Sequence, residues 1–88
     1  MLKEQMVVKN STGLHARPVT TLVKLAGRYK STIELVYNEK TIKMKSMMAL
    51  LGAGVKGGST VEIICDGEDE QAAIAEIREL FATGFGEE

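Results

Sequence analysis

Tryptophan is missing from this 88-residue sequence, and cysteine, proline and histidine occur once each. A single cysteine, Cys65, excludes an internal disulfide and suits a reducing compartment, and its apolar neighbours read as a buried strand. One histidine and one cysteine cannot supply the usual four ligands of a metal site, so no metal or other cofactor is expected. No apolar run approaches the ~20 residues of a membrane helix. The opening Met1-Leu2-Lys3-Glu4-Gln5 lacks the basic leader and apolar core of a signal peptide, which makes the cytoplasm the expected location. Nor is there an excess of either charge: 11 Lys and Arg stand against 12 Asp and Glu, a formal net charge of −1. Near-neutrality gives no general attraction to nucleic acid or anionic membrane, so binding must come from a local patch. Aromatic content of 5% is a second argument against nucleic acid. No repeat, low-complexity stretch or linker interrupts the chain, and residues 1–88 are expected to form one domain around one core.

What is present is strong periodicity. Met6 and Val8 alternate with Val7 and Lys9, which predicts a first strand near residues 3–9. Asn10-Ser11-Thr12-Gly13 then breaks the pattern with turn residues. From Ala16, the apolar positions Val19, Leu22, Val23 and Ala26 mark one face of a helix of about 12 residues that ends at Gly27. Ile33, Leu35 and Tyr37 alternate on one strand, and Ile42 and Met44 on the next. Asn38-Glu39 joins them in a hairpin whose turn type stays open, because glutamate suits positive φ poorly. Ser46 is the natural N-cap of a short helix, Met47-Met48-Ala49-Leu50-Leu51, that stops at Gly52. About half of that run is expected in the core, leaving Met48 with Met47 or Leu51 as an exposed apolar patch. Val61, Ile63 and Cys65 predict a fourth strand. Ala73, Ile74, Ile77, Leu80 and Phe81 predict a last helix after Glu68-Asp69-Glu70, acids that favour the positive end of a helix dipole. The order β-α-β-β-α-β-α buries one core only if the helices share one face of a single sheet.

The residues that can carry chemistry cluster at the first helix. His15 stands between the turn and the helix start in Gly13-Leu14-His15-Ala16-Arg17-Pro18. The first N–H groups of a helix lack intrahelical partners and can hold an anion. A neutral imidazole is a competent nucleophile near pH 7 and can form a covalent intermediate. Arg17 can offer a forked guanidinium to a phosphate. Pro18 costs little in the first turn, and it biases Arg17 away from helical geometry, leaving that side chain room to swing. The bland alternative, a histidine at a helix start beside a solvated arginine, fits the same residues.

Two glycine motifs are decoys. Gly52-Ala53-Gly54-Val55-Lys56-Gly57 fits G-x-G-x-x-G, but a helix precedes it and a strand follows, the reverse of the dinucleotide fingerprint. Gly54-Val55-Lys56-Gly57 fits the G-x-x-G of KH domains, where that loop joins two helices. Here the glycines read as a flexible turn into the fourth strand.

The six-residue segment around His15 resembles the active-site segment of HPr, the histidine-containing phosphocarrier family of the bacterial phosphoenolpyruvate:sugar phosphotransferase system. The similarity extends to chain length, element order, the Tyr37-Asn38 hairpin and Lys45-Ser46-Met47-Met48, the last in the manner of Gram-positive members. It implies an α+β fold, an open-faced β-sandwich whose antiparallel sheet runs 1-4-2-3 with three helices on one face. It also implies a carrier without turnover of its own, in which His15 takes phosphate from phospho-enzyme I and passes it to IIA components of sugar permeases. Arg17 would steady the phosphate, the Ala16 and Arg17 amides would help bind it, and Pro18 would stiffen the segment. Ser46 would be phosphorylated by an HPr kinase/phosphorylase, with a catabolite-control transcription factor as a further partner. The short helix and the active-site loop would form the docking face, through Met47, Met48 and Leu51, with Thr20, Lys24 and Arg28 at its rim. Glu39, Met47, Ala49 and the glycine-rich loop depart from the family pattern without touching His15, Arg17 or Ser46. The alternative is an HPr-like regulator acting mainly through Ser46 as a transcriptional co-effector. A monomer is the expected state.

Overall fold

Alternation of buried and exposed residues builds the sheet. In the computed structural model, which describes residues 1–86, Met6 of β1 (Leu2–Val7), Ile33 and Leu35 of β2 (Thr32–Tyr37), Ile42 of β3 (Lys40–Lys43) and Val61, Ile63 and Cys65 of β4 (Thr60–Asp66) are all buried. Their neighbours along each strand turn to the opposite, more exposed face, as the two-residue strand period requires. All three pairings are antiparallel, and the sheet order is β1-β4-β2-β3. β4 lies between β1 and β2, with Glu4 opposite Ile63 and Leu35 opposite Ile63 from the other side.

Helices cover the apolar face. α1 (Ala16–Gly27) buries Val19, Leu22, Leu25 and Ala26, and α3 (Glu70–Ala82) buries Ala73, Ile74, Ile77 and Phe81. α3 packs on β1 and β4, while α2 (Met47–Gly52) packs on α1 and β3. Together they form the expected open-faced sandwich around one core cluster. A short 3-10 turn, Gly84–Gly86, which the periodicity did not announce, follows α3 and sets Phe85 edge-on against Phe81 with ring centroids 4.9 Å apart. Among the described residues, no helix is long and apolar enough to cross a membrane.

Three local expectations change. β1 ends at Val7: the Val8 amide still donates in register to the Ser59 carbonyl (2.9 Å), but the Val8 carbonyl accepts from Gly58 (2.7 Å) while the Ser59 amide turns to Lys56, and the Val8 side chain is fully buried. β3 ends at Lys43; Met44 continues inward and is buried, its amide donating to the Ile33 carbonyl at 2.9 Å. In α2 only Leu50 is buried, rather than half the apolar run. Six residues are less than two turns, and a helix that short presents just one position to the core.

Candidate functional site

The segment before α1 is tied down from below. Gly13 takes φ +73°, which L side chains rarely adopt, and its amide donates to the Asn10 carbonyl at 3.1 Å. The Asn10 side-chain amide donates to the Gly13 carbonyl at 2.7 Å, closing the turn. Leu14 is buried, and its amide donates to the Val55 carbonyl at 3.0 Å. His15 is therefore the first residue after an anchored stretch and the N-cap of α1, with extended backbone at φ −97° and ψ −167°. Its ring makes no capping bond to the helix, and the residue is exposed.

The helix start is open. Val19 N to His15 O (3.0 Å) is the first turn's initial helical bond. Pro18, buried at the third helical position, has no N–H to offer, so the amides of Ala16 and Arg17 are the two first-turn donors left without an intrahelical acceptor. Both residues are exposed beside His15. Arg17 lies inside α1, which corrects the expectation that Pro18 would hold it out of helical geometry. The restriction on residues before proline is a preference, and the packing of Pro18 and Val19 overrides it.

The glycine-rich loop after α2 forms the opposite wall. A recess of about 600 Å³ is lined by Ser11, Thr12, Leu14, His15 and Ala16 on one side and by Leu51, Gly54, Val55, Lys56 and Gly57 on the other. The two walls meet backbone to backbone. A Cβ on Gly57 would fall 2.5 Å from the Ser11 carbonyl oxygen and 2.6 Å from that of Asn10; one on Gly13 would fall 2.4 Å from that of Val55. The Gly58 amide adds a 2.7 Å bond to the Val8 carbonyl. These glycines are an interlock rather than a flexible turn. The signal was in the sequence, as glycines at 13 and 57, but their partnership is long-range and no local pattern reports it.

The other candidates are distributed unevenly. Ser46 caps α2, its hydroxyl accepting from the Ala49 amide at 3.3 Å. Met48 is 81% exposed, and Met47 and Leu51 are 38% exposed each, so all three remain on the surface and Leu51 reaches the His15 recess. Thr20 is half-buried and spends its hydroxyl on the Ala16 carbonyl (2.7 Å), an internal role. Lys24 and Arg28 line a different groove, between α1 and α3, with Thr21, Leu25, Glu76 and Leu80. Arg28 there pairs with Glu76, which also accepts from the Tyr29 hydroxyl. That hydrogen bond holds the Glu76 carboxyl below, and the Tyr29 phenol above, its ordinary value.

Charge is segregated along the chain. Residues 8–31 carry Lys9, Arg17, Lys24, Arg28 and Lys30 without an acid, and residues 40–60 carry Lys40, Lys43, Lys45 and Lys56 without an acid. Residues 60–82, which include β4 and α3, carry seven of the twelve carboxylates, with Arg78 their sole base, itself held by Glu4. The elements around His15 and Ser46 are thus basic in a chain of near-zero net charge.

The family model for the PTS HPr component phosphorylation site matches residues 2–83. Among solved structures, HPr of Thermoanaerobacter tengcongensis is 36% identical with a TM-score of 0.96, the match covering 100% of this chain and 99% of that one. A Mycoplasma histidine-containing phosphocarrier protein is 33% identical (TM-score 0.88, 94% and 96% covered). Crh, the Bacillus subtilis catabolite repression containing protein, described as a domain-swapped dimer, is 35% identical (TM-score 0.71, 100% and 97% covered). A family model over residues 2–83 and solved histidine-containing phosphocarriers 33–36% identical over nearly the whole chain agree, and the chain, with its exposed His15 at an open helix start on a sheet ordered 1-4-2-3, belongs to the PTS HPr family.

Proposed function

We propose that the chain is a phosphoryl carrier, in which His15 takes a phosphoryl group from phospho-enzyme I and gives it to IIA components of sugar permeases. The observation that carries this reading is the position of His15, exposed and fixed at the mouth of a helix with two unpartnered amides beside it. A ring nitrogen lone pair attacks phosphorus, the bond to the donor breaks, and the new P–N bond is later broken by the next acceptor. The Ala16 and Arg17 amides and the Arg17 guanidinium stabilise the negative charge on the group in transit. The protein ends each cycle unchanged and has no turnover of its own. It acts as a single-domain monomer in the cytoplasm, where its partners meet the basic, partly apolar face around α1 and α2.

Ser46 provides regulation in the same reading, through an HPr kinase/phosphorylase and a catabolite-control transcription factor. The likeness to Crh favours a second reading, a regulator acting mainly through Ser46. Retention of His15 favours the carrier, and both roles fit in one molecule.

Incubation with phosphoenolpyruvate and purified enzyme I, followed by intact mass, tests the carrier directly. The wild type should gain one acid-labile phosphate, and His15→Ala should gain none while keeping its fold. Arg17→Ala should still be phosphorylated, with slower transfer. Acid-labile phosphate on the His15→Ala protein would defeat the site assignment.

A further inference from the structure

Resting on that reading of His15, we propose that Lys56 is a second cationic residue of the phosphoryl site, held against the His15 loop so that its ammonium favours the phosphorylated form. Lys56 lines the recess that His15 lines, and among the described lining residues it alone carries a formal charge. Its backbone is not free to drift. The preceding Val55 is buried and its carbonyl accepts the Leu14 amide, one residue before His15. The following Gly57 is packed against the Ser11 and Asn10 carbonyls too closely to admit a Cβ. The Lys56 carbonyl itself accepts from the Ser59 amide at 3.1 Å. The residue therefore leaves an interlocked stretch with an exposed, long side chain that can reach across the recess. Arg17 follows His15 by two residues in α1, so the helix and the glycine-rich loop each supply one cation to the neighbourhood of His15.

An equilibrium separates this role from partner docking. Enzyme I catalyses phosphoryl exchange between phosphoenolpyruvate and the carrier; it changes the rate and cannot change the final ratio. The phosphorylated fraction at fixed phosphoenolpyruvate and pyruvate, read by intact mass, reports only the relative stability of the phosphorylated and free forms. Lys56→Gln should lower that equilibrium constant about three- to tenfold at low salt, the scale of one cation near a doubly charged group in water. Lys56→Arg should restore it, and the difference should shrink as salt rises. Thermal melts of both variants should match the wild type, since the position is exposed. An unchanged constant in Lys56→Gln, with wild type phosphorylated, overturns the inference, even if that variant's KM with enzyme I rises; Lys56 would then serve docking alone. A wild type that takes no phosphate defeats the carrier reading and this inference together.

Discussion

Glu39 sits with φ +66° beside Asn38 at φ +50°, so the β2–β3 connection is a type I′ turn made by two residues in the left-handed region. Asparagine tolerates that region through its short polar side chain, whereas glutamate pays a steric penalty of about 1 kcal/mol or more for its Cβ. Glu39→Gly should therefore stabilise the domain by about 1 kcal/mol, raising the melting temperature by roughly 4–8 °C for a chain of this size. An unchanged or lower melting temperature would show that the entropy glycine adds to the unfolded chain cancels the relief. The hairpin was legible as two alternating strands flanking Asn38-Glu39. Its turn type was not, because composition alone does not say which strained residue the flanking register will force into place. Gly13 and Gly57 make the same point at the site, since each is required by a backbone some 40 residues away in sequence.

Elements are held together by carboxylates whose roles sequence reading assigned elsewhere. The acids Glu68-Asp69-Glu70 read as dipole partners of α3, yet Asp69 makes no capping bond to that helix. Its carboxylate instead accepts from the amides of Lys30 and Ser31, at 2.8 and 2.9 Å, and from the Ser31 hydroxyl, stapling the α1–β2 connection to the start of α3. Glu70 accepts from the Gly67 amide at 3.1 Å, and Glu4 receives Arg78 through two nitrogens. Helix periodicity found α3; it does not report a hydrogen bond to a loop 38 residues earlier. The Ser31 hydroxyl and the two amides hold the Asp69 carboxyl below its ordinary value. A carboxyl depressed in the folded state adds stability that is complete above its unfolded pKa, near 3.8, and disappears as pH falls through the folded value. Asp69→Asn should lower the melting temperature at pH 7, and the gap to wild type should narrow as pH falls below about 4. Melts across that range are the check. A gap constant with pH would mean the staple owes nothing to ionisation.

At the scale of the whole molecule, basic elements and an exposed apolar strip meet on one side, and Ser46 stands among them. Lys43 and Lys45 flank it in sequence, Lys45 donating from Nζ to the Tyr29 carbonyl at 3.0 Å, and the following residues Met47 and Met48 are exposed. This face was legible in part: Ser46 as a cap and Met48 as surface follow from pattern, whereas the exposure of both Met47 and Leu51 does not. The gathering of His15, Leu51 and the glycine loop into one recess needed the tertiary fold. A negative group at Ser46 has two separable consequences. Locally it lies at the amino end of α2, near open amides and two lysines, so the melting temperature of Ser46→Asp should hold or rise slightly. Toward partners it reduces the positive field and adds a charge beside the apolar contact surface, so phosphoryl transfer from enzyme I to His15 should slow. If steering is the cause, the slowing belongs to association: it should be largest at low ionic strength and fade as the Debye length falls from about 30 Å at 0.01 M salt to about 3 Å at 1 M. If contact at Met47 and Met48 is the cause, it should persist at high salt. Transfer rates for wild type and Ser46→Asp across that series, with a melt of each, distinguish the two. Equal rates at low salt would leave Ser46 as a helix cap and nothing more.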